Sequence, residues 1–206
     1  VHQVTEAFRI PAFEIDGYEA DDVLATLSRQ AKEQNIDTII VTGDTDALQI
    51  VSPRVKVLAP RRTFSDTILY DEAGIKERFD LNPEQLVDFK ALTGDPSDNI
   101  PGIPGIGEKT ATKLIKQFGS LGGMYERIDE VTPQKLRDLL TKHKEQVFQS
   151  KGLVTSVTDV PVNLDLDACK VTTYDRNRVV DLFRELEFVK LLPRLPELVT
   201  ETPSVA

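Results

Sequence analysis

The chain of 206 residues has a single cysteine, Cys169, and two histidines, His2 and His143. One cysteine excludes an intramolecular disulfide and a cysteine-based zinc site, and it fits a reducing compartment. Neither histidine has a partner pattern, and no serine sits in a nucleophile motif, so hydrolysis through a covalent intermediate has no support. No apolar run approaches the length of a bilayer span, and no signal-peptide pattern is present. A cytoplasmic setting without a membrane partner is therefore expected. Hydrophobic residues make up 40% of the chain, enough to fold, and the length suffices for a core without staples. One domain, or a domain with a small appendage, is expected. The chain begins at Val1 rather than Met, and Val1 to Arg9 reads as the end of an earlier element, so a fragment is expected.

The net charge of −9 is a poor match to a nucleic-acid binder when taken whole. Its distribution says more. Between Gly102 and Lys151, nine Lys/Arg stand against six Asp/Glu, and the acidic excess lies elsewhere. Acid collected in a metal site would be partly neutralised by the metal, although net negative charge also serves solubility alone.

Along the chain, Phe8 to Ile15 alternates around Pro11 and reads as a short edge strand. Tyr18 to Gln34 carries Val23, Leu24, Leu27 and Ala31 at helical spacing. The β-branched run in Asp37 to Thr42 predicts a buried strand. A short helix follows over Thr45 to Val51, then strands at Val55 to Leu58 and Thr67 to Tyr70. Helices are expected at Asp71 to Phe79 and, opened by Pro83, at Pro83 to Thr93. This alternation predicts an α/β fold with a mostly parallel sheet. After Gly94 the pattern becomes helical through about Gln149, with an extended piece at Thr158 to Leu166 and a helix at Asp175 to Phe188. The expected organisation is an α/β core at 1–94, a helical subdomain at 95–192, and a Pro-, Thr- and Glu-rich linker at 193–206.

Seven acids fall where strands meet helices or loops: Glu19, Asp21, Asp22, Asp44, Asp46, Asp95 and Asp98. In a parallel sheet such positions share one edge, where ligands usually bind. Gathered carboxylates repel and must be protonated, spread apart or bridged by cations. Mg²⁺ suits them, because it is hard, prefers oxygen and completes its shell with water and phosphate. Two such ions can hold a phosphodiester and activate water. Acids in a first helical turn also stabilise a helix with no further role. Asp44-Thr45-Asp46 starts like a calcium loop, but Gln49 stands where that loop needs Gly and Val55 where it needs Glu.

Gly102 to Thr110 has the wrong glycine order for a dinucleotide fingerprint, and Glu108 separates Gly107 from Lys109, which breaks a P-loop. A hairpin between two helices fits better, the first ending near Ile100 and the second starting near Glu108. Gly102, Gly105 and Gly107 would bring backbone close to phosphate. Exposed N–H groups at the helix start, with Lys109, Thr110 and Lys113, would grip DNA without reading sequence.

Four segments then point one way. Gly17-Tyr18-Glu19-Ala20-Asp21-Asp22, Thr42-Gly43-Asp44-Thr45-Asp46, Leu92-Thr93-Gly94-Asp95-Pro96-Ser97-Asp98-Asn99-Ile100-Pro101-Gly102 and Gly105-Ile106-Gly107-Glu108-Lys109-Thr110-Ala111 stand in order and spacing. Together they resemble the 5′-nuclease domain of bacterial DNA polymerase I and related flap endonucleases, over about Arg9 to Leu192. The close at Leu186-Glu187-Phe188 is similar too. The resemblance implies a PIN-like core, truncated at its start, and a C-terminal helical subdomain with a helix–hairpin–helix. It implies two-metal cleavage with Mg²⁺ or Mn²⁺, acting on 5′ flaps, nicks and primer-bearing duplex in replication and repair, in a nucleoid-associated bacterial protein. Glu19, Asp21 and Asp22 would serve one metal position, and Asp46, Asp95 and Asp98 the other, with Asp44 near both. The hairpin would hold duplex DNA and K⁺, and polymerase domains would share the full-length chain. The family also has two metal-site aspartates on earlier strands and a basic helical arch. No residue of this sequence supplies them, and Asp165 and Asp167 lie too late to substitute. A DNA-binding module whose carboxylates only stabilise the fold, and an inert scaffold piece, are the alternatives.

Overall fold

The computed structural model describes residues 1–61, 66–170 and 174–196. Two compact units emerge: Ile15–Val162, and Val1–Glu14 with the described residues from Asn163 onward.

In the larger unit, helix α2 (Ala20–Glu33) opens at a reciprocal capping box between Glu19 and Asp22. Such a box satisfies orphan N–H groups at the first turn. The helix buries Val23, Ala25 and Ala31, as its spacing predicts, with Leu24 and Leu27 half-buried. Strand β1 (Thr38–Val41) runs parallel to β2 (Val55–Pro60), joined through a 3-10 turn at Asp46–Ile50. Strand β3 (Thr67–Tyr70) returns antiparallel to β2. The expected mostly parallel sheet thus has one parallel and one antiparallel pairing among the described residues. Residues 61–66 are too few for the crossover that a parallel neighbour needs.

Alternation puts Ile40, Val55, Val57 and Tyr70 into the core, while Ile39 and Val41 on the other face remain 60% and 73% exposed. The core is continuous from these strands through Leu48, Ile75 and Leu92 to Ile115, Met124 and Val147. Its middle is helix α4 (Leu86–Thr93), which follows α3 (Glu72–Phe79) and a 3-10 turn at Pro83–Gln85. Asp88 on α4 is only 3% exposed. It accepts from the backbone N–H of Leu121 at 2.9 Å and pairs with Lys151 at 2.6 Å.

The first helix of the expected hairpin ends at Thr93, not near Ile100. Gly94, at φ 79°, turns the chain into a two-residue ribbon, β4 (Gly94–Asp95) against β5 (Ile100–Pro101). A Cβ on Gly102 would overlap the backbone of Thr93 and Gly94, and one on Gly94 would meet Ile100 O at 2.8 Å. Helices α5 (Glu108–Phe118), α6 (Leu121–Glu126), α7 (Gln134–Lys142) and α8 (Lys144–Val154) complete the helical part. From α8, Gln146 donates to Gly102 O at 3.1 Å and Ser150 to Pro101 O at 3.0 Å, fixing the ribbon from behind.

Two expected extended pieces do not pair as strands among the described residues. Residues 158–166 form no strand, and Thr158, Val160 and Val162 spend backbone groups on side chains of α2. Thr26 accepts from Val160 N at 3.2 Å, Arg29 donates to Thr158 O at 2.9 Å, and Gln30 donates to Val162 O at 2.7 Å. Phe8 to Ile15 is likewise not a strand, since Pro11 removes a ladder donor and no described strand lies beside it.

In the smaller unit, α1 (His2–Ala7) packs on α9 (Arg176–Glu185) around Ala7, Val179, Phe183 and Leu195. Phe8 sits 4.9 Å from the Tyr174 ring, and Arg178 pairs with Glu6 at 2.7 Å. Of the expected linker at 193–206, Pro193 and Arg194 close a 3-10 turn. Residues 197–206 lie outside the described residues.

The close packing around these glycines predicts a sharp contrast. Gly102→Ala should lower stability by about 1–3 kcal/mol, the usual penalty for overpacking. Gly107→Ala, whose added Cβ meets nothing within 4 Å, should change it far less. Urea denaturation of both variants checks this, and equal losses would contradict the close approach at Gly102.

Candidate metal centre and nucleic-acid interface

The seven acids come from three places that the fold brings toward one another. Glu19, Asp21 and Asp22 stand at the start of α2, Asp44 and Asp46 follow β1, and Asp95 and Asp98 occupy the ribbon loop after α4. Local hydrogen bonds shape each group. Thr42 Oγ1 accepts from Asp44 N at 3.0 Å, and Asp44 Oδ1 accepts from Asp46 N at 2.9 Å, so the turn after β1 is held by side-chain caps. Asp95 Oδ1 accepts from Ser97 N at 3.0 Å and also from the Ser97 hydroxyl.

Asp46, Asp95 and Asp98 each offer an oxygen, and these oxygens lie within 4.8 Å of one another. Asp95 is 7% exposed, Asp46 half-buried and Asp98 open to solvent. An all-oxygen set with one open side fits a hard divalent cation that keeps some of its water. Asp21, half-buried at the start of α2, lies within electrostatic range of Asp44 and Asp98. Burial, and then the charges of Asp44, Glu19, Asp22 and Asp98, push the Asp21 carboxyl above its ordinary range. The field of Asp44 and Asp98 at Asp21 ties the α2 acids to the other two groups. Asp22 has a second duty. Its Oδ2 accepts from Glu19 N at 3.2 Å and its Oδ1 from Val157 N at 2.7 Å, so it also anchors the segment after α8.

Sequence reasoning missed Lys90. Its ammonium donates to Asp46 Oδ1 and, at 2.8 Å, to Asp95 Oδ2. The Lys90, Asp46 and Asp95 side chains are 17%, 14% and 10% exposed. Burial, the strongest single influence, pushes the Asp95 carboxyl up, but hydrogen bonds from Lys90 and Ser97 and the Lys90 charge together hold it at about 2. A signal was available, since Asp88 and Lys90 are the charged residues of a largely apolar helix. Arg78 was also missed. It stacks over the Phe79 ring at 4.8 Å, donates to the Tyr70 hydroxyl at 2.5 Å, and with Arg61 lines a cleft that Asp44 borders.

The expected DNA-gripping residues separate into two kinds. Gly105, at φ 90°, and Gly107 are exposed at the turn into α5, and Lys109 and Lys113 project from that helix without an ion-pair partner among the described residues. Thr110 is half-buried, and its N–H donates to Gly107 O at 3.0 Å. Gly102 is turned inward, against Thr93 and under Gln146, so its role is closure. Lys116, one turn beyond Lys113, is taken by Asp80.

A raised carboxyl opposes folding at neutral pH. Above the ordinary aspartate value of about 4, the unfolded chain releases this proton more readily than the folded one, so stability falls as pH rises through that range. Asp21→Asn should therefore raise the melting temperature of the metal-free chain at pH 7. Calorimetry showing no rise would mean that Asp21 bears no like-charge strain.

Comparison with known proteins bears on the fold and the family. Residues 1–80 match the family described as 5′-3′ exonuclease, N-terminal resolvase-like domain, and residues 81–177 match 5′-3′ exonuclease, C-terminal SAM fold. DNA polymerase I of Chloroflexus aurantiacus is 46% identical over 100% of the chain and 22% of its own length. DNA polymerase I of Bacillus subtilis (strain 168) is 39% identical over 96% of the chain and 22% of its own length. The chain thus spans less than a quarter of these relatives. Among solved structures, T5 5′-exonuclease with bound zinc ions aligns at TM-score 0.65 and 23% identity, over 87% of this chain and 62% of that one. The catalytic core of Rad2 in complex with DNA substrate aligns at TM-score 0.60 and 17% identity, over 94% and 68%. These two show the fold: an α/β resolvase-like part followed by a SAM-like helical part. With adjoining matches running from residue 1 to residue 177, the chain belongs to the 5′-3′ exonuclease family.

Proposed function

We propose that this chain is the nuclease portion of a longer, DNA polymerase I-like protein, and that it hydrolyses phosphodiesters at 5′ flaps, nicks and primer-bearing duplex with two divalent cations, Mg²⁺ or Mn²⁺. The convergence of Asp46, Asp95 and Asp98 oxygens carries this reading. Those three would hold one cation, and Glu19, Asp21 and Asp22 the other, with Asp44 between them. When bound, such ions supply Lewis-acid stabilisation of the phosphate and a water made nucleophilic at neutral pH. The chain's own part is to keep oxygens aimed at one place. The Ser97 contacts to Asp95 and the Asp46 N–H to Asp44 fix two of those carboxylates before any substrate arrives.

The turn into α5 supports the DNA side of the proposal. Exposed N–H groups at a helix start attract phosphate, and Lys109 and Lys113 lie one turn apart on the same helix. K⁺ held by backbone carbonyls of the 103–107 turn would belong to the same grip. Contacts of this type position a duplex without reading its sequence.

Metal-dependent scission of a 5′-flap duplex, lost on chelation, is the direct test. Asp44→Ala should reduce that scission more than about 100-fold, beyond the usual loss for an outer-shell partner of a metal, with far-UV dichroism unchanged. Cutting that survives chelation or Asp44→Ala would overturn the metal assignment, and duplex binding without any cutting would favour a binding module. For the hairpin, Lys109→Ala/Lys113→Ala should lower the slope of log affinity against log salt by about 2, because each lysine would neutralise one phosphate. Fluorescence anisotropy across a salt series reads this, and an unaltered slope would remove α5 from the interface.

A further inference from the structure

Lys90 contacts two of the three carboxylates that would hold a cation in the second cluster. Its ammonium bridges Asp46 Oδ1 and Asp95 Oδ2, two of the three carboxylates whose oxygens come within 4.8 Å. The other Asp95 oxygen is committed to Ser97, so the oxygen facing the ammonium is the one left for a metal. Both acids and the lysine are mostly shielded from water. This separates the bridge from surface pairs such as Lys116–Asp80, whose side chains are 46% and 59% exposed. An ammonium and a divalent ion cannot share the same lone pairs, and in a shielded site they repel strongly.

We propose that Lys90 is a built-in counter-ion of this cluster. It holds Asp46 and Asp95 together when no divalent ion is present, and it gives up at least one of them when the ion enters. Metal binding at this position is then an exchange of one cation for another. The inference rests on the reading of Asp46, Asp95 and Asp98 as metal ligands. Lys90 acts through these carboxylates, as a positioning residue. A merely structural ion pair predicts the opposite sign on removal, because losing a shielded partner would loosen the site and weaken metal binding. Exchange predicts tighter binding, because the competitor has gone.

The test uses the whole chain and Mn²⁺ alone, with free Mn²⁺ read by electron paramagnetic resonance. Lys90→Met should bind Mn²⁺ at this position about tenfold more tightly than the wild type, a ratio equivalent to one competing interaction, while its metal-free melting temperature falls. Lys90→Arg, which keeps the charge, should stay near the wild-type affinity. Weaker or equal binding by Lys90→Met overturns the exchange while leaving the metal reading intact. Absence of Mn²⁺ binding by wild type and variant alike overturns the metal reading, and the exchange with it. If Lys90→Met does not fold, acylation of the wild-type chain with acetic anhydride decides. Labelling of Lys90, read by peptide mass spectrometry, should rise several-fold on adding Mn²⁺, and unchanged labelling overturns the proposal.

Discussion

Mutual repulsion among carboxylates is the constraint around which this fold is organised. Seven acids arrive from the start of α2, the turn after β1 and the loop after α4, and unshielded they would push those elements apart. The chain contains the repulsion by distributing different duties. Asp22 is occupied by two backbone N–H groups, Asp95 by Ser97 and Lys90, and Asp46 by Lys90. Asp21 keeps the remainder of the conflict, in a carboxyl pushed upward by burial and by its neighbours.

Helix α4 mediates between the acidic edge and the helical part. Its buried Asp88 reaches toward the helices, to Lys151 on α8 and to the start of α6, while Lys90 reaches the opposite way, to Asp46 and Asp95. Two charges of opposite sign, two residues apart on a largely apolar helix, thereby link both parts of one continuous core. A shielded charge without its partner is strongly unfavourable, so each of these pairs constrains where its neighbours can settle.

Much of this was legible in the sequence because it is local. The β-branched run at Asp37 to Thr42 marked β1, although that strand buries only one face rather than both, and acids standing where strands meet helices or loops marked the candidate cluster. Pro83 starts a helical segment as expected, although its first turn is 3-10 and the α-helix begins only at Leu86. What escaped depends on contacts between distant segments. Val157 finds Asp22 across 135 positions and Lys90 finds Asp46 across 44, and no periodicity carries such information. The antiparallel return of β3 was legible as well, in the short connection between β2 and β3, but the alternation of strands and helices reads as mostly parallel without it. The end of α4 at Thr93 matches the expected helix, but the expected first helix of the hairpin runs to near Ile100, where the chain instead forms a ribbon set by Gly94 and Gly102 pressing backbone on backbone.

That last contact has a consequence for how the site can vary. A loop closed by side chains can be retuned in small steps, since one methyl more or less shifts its ends slightly. The clasp at Gly94 and Gly102 offers no such steps, because any added carbon collides with main chain. The loop that carries Asp95 and Asp98 is therefore clasped at its base main chain to main chain, with α8 behind it, and a sequence that loses either glycine must rebuild the whole loop rather than adjust it.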